Sequence, residues 1–96
     1  MVELLGAAEI RSLAAELDLR PTKKLGQNFV IDPNTIRKIV AAAQLMHTDK
    51  VVEIGPGLGS LTLGLLEKVD QLTAIEFDEK LATRLASTLK QKAPAV

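Results

Sequence analysis

Val51-Val52-Glu53-Ile54-Gly55-Pro56-Gly57-Leu58-Gly59-Ser60 passes from a β-branched run into a glycine-rich turn, and Leu72-Thr73-Ala74-Ile75-Glu76 follows after a helix-length interval. The first run is short, ends at Gly55 and reads as a buried strand. Gly55–Gly59 is a turn that opens a helix expected from about Ser60 to Val69. Leu72–Glu76 reads as a second strand. Strand, short crossover and strand imply parallel pairing with a right-handed connection. Such a sheet is normally covered on both faces.

Beyond the second strand, Asp78 is placed to cap a helix whose apolar stripe is Leu81, Ala82, Leu85, Ala86 and Leu89, and Pro94 ends it. Before the first strand, Asp32-Pro33-Asn34-Thr35 is a helix start, with Asp32 as N-cap and Pro33 at the first helical position. Ile36, Ile39, Val40 and Ala43 are expected to form that helix's buried stripe. Nearer the N-terminus, Ile10, Leu13, Ala14 and Leu17 recur at i, i+3, i+4 and i+7, one stripe of an amphipathic helix. It is expected to end near Leu19, because Pro21 disfavours helical geometry at Arg20. Residues 1–24 thus read as an N-terminal helix and basic linker, and 25–96 as the first part of an α/β domain. The expected fold is an incomplete Rossmann-like α/β fold, first β-α-β-α, preceded by N-terminal helices. The chain is expected to stop near where a third strand would begin.

Composition narrows the chemistry. Of the 96 residues, 47% are apolar and 25% charged, as in an ordinary globular segment. Formal net charge is +0, so no global basic field draws the molecule to nucleic acid. With no cysteine, disulfide frameworks and thiolate zinc sites are excluded. The start, Met1-Val2-Glu3-Leu4-Leu5, lacks the positive flank and apolar core of a signal peptide, and no apolar run approaches a bilayer-spanning length. A soluble, cytoplasmic chain is expected. His47 is the single histidine, with no cysteine and no second histidine nearby, so no metal is expected.

The pattern Glu53-x-Gly55-x-Gly57-x-Gly59 with Glu76 closing the next strand points to a nucleoside ligand. Gly55 and Gly57 lack Cβ, so backbone can turn tightly and approach a ligand closely. Ligands of open α/β sheets bind outside the carboxyl ends of the strands, where this turn lies. Glu76 follows the first glycine by about twenty residues, the spacing at which a carboxylate accepts from ribose hydroxyls. A dinucleotide fingerprint needs its third glycine at position 60, where Ser60 stands, and Pro56 removes an N–H that a pyrophosphate would use. S-adenosylmethionine has no phosphate, and its positive charge favours an acidic neighbour such as Glu53. A NAD-dependent oxidoreductase remains the alternative enzyme class, and a non-enzymatic module for RNA or ribosome assembly the alternative outside enzymes.

Gly26-Gln27-Asn28-Phe29-Val30, then Glu53-Ile54-Gly55-Pro56-Gly57-Leu58-Gly59-Ser60-Leu61-Thr62, then Leu72-Thr73-Ala74-Ile75-Glu76-Phe77-Asp78 together resemble the KsgA family, the adenine N6,N6-dimethyltransferases of small-subunit ribosomal RNA. The resemblance runs from Leu25 onward. It implies a class I methyltransferase fold with S-adenosylmethionine as cofactor and ribosomal RNA in a small-subunit assembly particle as partner. It also implies that the loop of Gln27, Asn28 and Phe29 closes over the methionine end of the cofactor. Asn28 and the backbone of Val30 would touch it, with Gly55 beside it and Glu76 on the ribose. Val30 stands where leucine is commoner. The family's Asn-(Leu/Ile)-Pro-(Tyr/Phe) catalytic motif is not found in these 96 residues, so no catalytic residue is assigned and the chain alone is expected to be inactive. The related antibiotic-resistance methylases of large-subunit RNA usually carry a basic residue where Leu58 stands, which leans the assignment to the small-subunit enzymes.

Arg20, Lys23 and Lys24 read by charge alone as a solvated linker. The resemblance places this segment at the mouth of the active site, which makes the three residues candidates for RNA phosphates. Phe29 and Phe77 are the only aromatics, and for Phe29 core packing is expected over base stacking.

Overall fold

In the computed structural model, residues 2–18 and 32–95 are described. The elements are α1 (Ala7–Glu16), α2 (Pro33–Ala42), β1 (Lys50–Ile54), α3 (Ser60–Leu66), β2 (Gln71–Ile75) and α4 (Glu79–Lys92). β1 and β2 pair in parallel, from Lys50 opposite Gln71 to Ile54 opposite Ile75. The α/β class and the incomplete Rossmann-like order therefore hold.

Two helix starts form for the reasons their residues suggest. The Asp32 carboxylate accepts from the backbone N–H of Asn34 and Thr35, and Pro33 needs no partner for an N–H it lacks. Asp78 does the same for Lys80 and Leu81. Two helix ends fall short of the expected bounds. α1 stops at Glu16 rather than near Leu19, because Asp18 turns left-handed at φ 54°, a conformation that aspartate tolerates better than most residues. α3 stops at Leu66 rather than Val69. The Glu67 N–H is shared between the Leu63 and Gly64 carbonyls and Lys68 N–H reaches Leu65, so the last turn tightens and leaves the helical path.

α3 is the centre of the structure. Thr62 and Leu63 are fully buried, and Ser60, Gly64 and Leu65 are buried beside them. On one side, Leu65 and Leu61 meet Ile36 and Val40 of α2 and the inward residues Val51 and Leu72 of the sheet. On the other, Leu63 and Leu58 join Leu81 and Ala93 with Leu5, Ile10 and Leu13 of the N-terminal segment. That segment is tied to α4 as well: Glu3 N–H donates to the Lys92 carbonyl at 2.7 Å, and Lys92 Nζ lies 2.6 Å from Glu9.

Burial alternates along each strand, with Val51 and Glu53, and Leu72 and Ala74, facing the helices. Among the described residues, no helix covers the opposite face. Val52 is 62% exposed and Ile54 74%, so β1 is covered on one face only and not on both as its β-branched run suggests. The helices described here all pack on one side of the sheet. Phe77, just past β2, is fully exposed, and Phe29 lies outside the described residues. The stripes also narrow: Ile39 of α2, Ala43 at its C-terminal cap, and Ala82 and Ala86 of α4 are exposed, while Thr88 is buried.

A Cβ on Gly64 would run into Ile36 Cγ2 and lie 3.3 Å from Val40 Cγ2. Alanine normally gains about 0.5–1 kcal/mol over glycine inside a helix, but overpacking a core contact costs about 1–3 kcal/mol. Gly64→Ala should therefore lower stability, with a reduced midpoint in urea denaturation. A midpoint at or above the wild-type value would contradict the close α2–α3 contact.

Candidate functional site

The parallel register determines what meets at the carboxyl end of the sheet. Ile54 pairs with Ile75, and the ladder continues one step further through Gly55 N–H to the Ile75 carbonyl at 2.9 Å. Gly55 and Glu76 therefore leave the sheet side by side. The chain then makes its turn through three left-handed glycines, Gly55 at φ 72°, Gly57 at 59° and Gly59 at 100°. Side-chain-bearing residues rarely adopt such angles.

The Glu76 carboxylate closes over this turn. Its Oε1 accepts from Gly57 N–H at 3.0 Å and its Oε2 from Asp78 N–H at 3.0 Å. The predicted glycine turn and the predicted carboxylate are thus in direct contact. An ionised carboxylate has about four acceptor positions. Two are used by the backbone, so each oxygen keeps one for a ligand hydroxyl, and the group is held in a single orientation.

Two of the glycines meet different demands. A Cβ on Gly59 would come within 2.6 Å of Leu85 Cδ1, so that position is constrained by packing against α4. Among the described residues, a Cβ on Gly55 would meet nothing within 4 Å. Gly55 therefore presents bare backbone to open space next to Glu76, a cradle that a side chain would fill. A nucleoside with vicinal hydroxyls and no phosphate fits these features. Glycine approach and a bidentate acceptor are present, while Pro56 is buried and offers no N–H.

Glu53 lies beneath the turn. It points to the interior, is 8% exposed, and its Oε1 accepts from Thr62 Oγ1 at 2.5 Å. Burial pushes its carboxyl above the ordinary value, and the Thr62 hydroxyl partly opposes that shift. Thr62 carries no role in the sequence reading, although a threonine two residues into a helix that packs under an acidic strand end is the available signal. Leu58, the position used to separate two RNA methylase branches, is 5% exposed and sits in the apolar core.

Gln27, Asn28 and Val30, and the basic residues Arg20, Lys23 and Lys24, lie outside the described residues. His47 Nδ1 pairs with Asp70 Oδ2 at 3.4 Å on the surface. Among the described residues, no three His, Asp or Glu side chains gather in a way that could hold a metal ion. No helix among them is long and apolar enough to cross a membrane.

With this geometry in hand, comparison with known proteins is specific. A family model described as ribosomal RNA adenine dimethylase matches residues 19–95. The chain is 61% identical over 94 residues to ribosomal RNA small subunit methyltransferase A of Corynebacterium glutamicum (strain R), covering 98% of this chain and 32% of that protein. It is 63% identical over 94 residues to the protein of the same name from Corynebacterium jeikeium, covering 98% and 30%. For the Thermobifida fusca protein the identity is 60% over 92 residues, covering 96% and 32%. The chain spans about a third of the length of these curated relatives.

The raised carboxyl of Glu53 has a sign that can be checked. A folded-state value above the unfolded one gives a contribution fully present below 4.5 and lost as pH rises through the raised value. Glu53→Gln cannot titrate. Urea midpoints measured across pH should therefore show wild type losing ground to the glutamine variant as pH climbs above 4.5. A pH-independent difference between the two would mean that burial does not perturb this carboxyl.

Proposed function

The chain belongs to the ribosomal RNA adenine dimethylase family, and from that premise we propose that it forms the cofactor-holding part of an enzyme that methylates adenine N6 in small-subunit ribosomal RNA. The methyl donor is S-adenosylmethionine. The observation that carries this is the contact between Gly57 N–H and Glu76 Oε1 at 3.0 Å, beside the bare backbone of Gly55. Together these residues make a site for the ribose and neighbouring atoms of a nucleoside, with no phosphate cradle.

In this proposal Glu76 accepts from the ribose hydroxyls, and Gly55 and Gly57 let the ligand lie against the main chain. Glu53 supports the turn from below. Gln27, Asn28 and the backbone of Val30 supply the lid that covers the methionine end. Arg20, Lys23 and Lys24 contact RNA phosphates at the mouth of the site, where basic side chains position a nucleic acid without reading its sequence. Bound in this way, the cofactor supplies an electrophilic methyl group on a sulfonium. The chain's contribution is to hold that methyl in line with the incoming amine, and positioning of this kind supplies much of the rate in group transfer. The enzyme acts in the cytoplasm, on small-subunit assembly particles.

The test uses the full-length protein. Calorimetric titration should show binding of S-adenosylhomocysteine and none of NADH. Glu76→Ala should weaken the former by about 1–3 kcal/mol through lost charge-assisted hydrogen bonds. NADH binding alone, or unchanged affinity in the alanine variant, would overturn the assignment.

A further inference from the structure

The turn that carries Gly55 to Gly59 is held from above by Glu76 and from below by a contact with no assigned role. Glu53 is the penultimate residue of β1 and Thr62 lies in the first turn of α3, so the two bracket the turn on its entry and exit sides. Thr62 is 0% exposed and donates its hydroxyl to Glu53 Oε1, a buried bond between residues nine apart. Burial raises both the strength of such a bond and the cost of leaving either group without its partner. No charged side chain shares this contact among the described residues; burial and the Thr62 hydroxyl account for the behaviour of the Glu53 carboxyl.

We propose that Thr62 is a positioning residue for the nucleoside site: through Glu53 it clamps the two ends of the glycine turn at the separation that places Gly57 N–H against Glu76. The proposal rests on the cofactor assignment above and adds a residue to it. Thr62 is fully buried and so acts through Glu53, not on a ligand directly. Its hydroxyl joins the end of β1 to the start of α3, and three of the eight residues between them, Gly55, Gly57 and Gly59, are glycines with little stiffness of their own. Three further bonds brace the same turn, Gly55 N–H to the Ile75 carbonyl, Gly59 N–H to the Pro56 carbonyl and Gly57 N–H to Glu76. Of the four, the Thr62 bond alone joins the two flanks of the turn through side chains.

The experiment is a set of calorimetric titrations of the full-length protein with S-adenosylhomocysteine. Thr62→Val keeps the shape and removes the donor, and affinity should fall about 5- to 30-fold, the equivalent of one to two kcal/mol for a broken buried bond. Thr62→Ser keeps the hydroxyl and should recover affinity to within about 2-fold of wild type, since about 0.4 kcal/mol separates them at that ratio. In a Glu53→Met background, where no acceptor remains, Thr62→Val should cause no further loss. Thr62→Ala, also without a donor, carries the same comparison should the valine variant fail to fold. Amide exchange at Gly57 without ligand should be faster in the donor-less variant and normal in the serine variant. Wild-type affinity in Thr62→Val, no rescue by serine, or an undiminished loss in the Glu53→Met background would each overturn the clamp. Absence of binding by wild type would instead overturn the cofactor assignment, and the amide exchange result would still judge the clamp.

Discussion

Parallel, in-register pairing of two short strands is the constraint from which the site follows. With Ile54 opposite Ile75, the next residues out of the sheet are Gly55 and Glu76, and the carboxylate can reach the Gly57 N–H. Strand geometry makes this unforgiving. A slip of one residue would shift Glu76 by about 3.3 Å along the strand and turn the side chains of β2 to the opposite face. The same alternation that leaves Val52 and Ile54 outward sends Glu53 inward to Thr62. One register thus decides both the acceptor above the turn and the anchor below it.

The register is in turn held by the burial of α3. That helix has apolar or small residues nearly all round because it is surrounded, by α2 and the sheet on one side and by α1 and α4 on the other. Gly64 lets α2 come close, and Gly59 lets Leu85 of α4 come close at the other end. The two contacts hold α3 near its two ends, and the start of α3 is the exit of the turn. Pre-formed donors and acceptors of this kind lower the ordering cost of binding.

Much of this was legible in the residues. Asp32-Pro33 and Asp78 marked helix starts because capping is local chemistry that needs no knowledge of the rest of the fold. Glycines at 55, 57 and 59 marked the turn because their backbone angles exclude most other residues. The spacing from Gly55 to Glu76 marked the carboxylate that meets the turn. What escaped were features set by three-dimensional neighbours. Ile39 reads as core by period alone, yet among the described residues α2 packs along Ile36 and Val40 and leaves Ile39 exposed. Val52 and Ile54 read as buried because β-branched runs usually have cover on both faces, whereas the described helices pack on one. Glu53 was legible as an acidic neighbour of the site, but its hydrogen bond with Thr62 depends on how α3 lies under β1. The helix of residues 7–16 was legible as amphipathic, while its seat on Leu63 and Leu81 was not.

The uncovered side of the sheet also governs how this chain behaves in bulk. Val52, Ile54, Ile75 and Phe77 put a cluster of apolar side chains in water, and two paired strands present an adjoining edge. Twelve basic and twelve acidic residues cancel, so long-range repulsion between copies is at its weakest close to neutrality. Sticky patches without a repulsive field favour collision-driven clustering. Colloidal stability of this chain therefore improves as acid or alkali restores a net charge, and deteriorates with kosmotropic salts that strengthen apolar association.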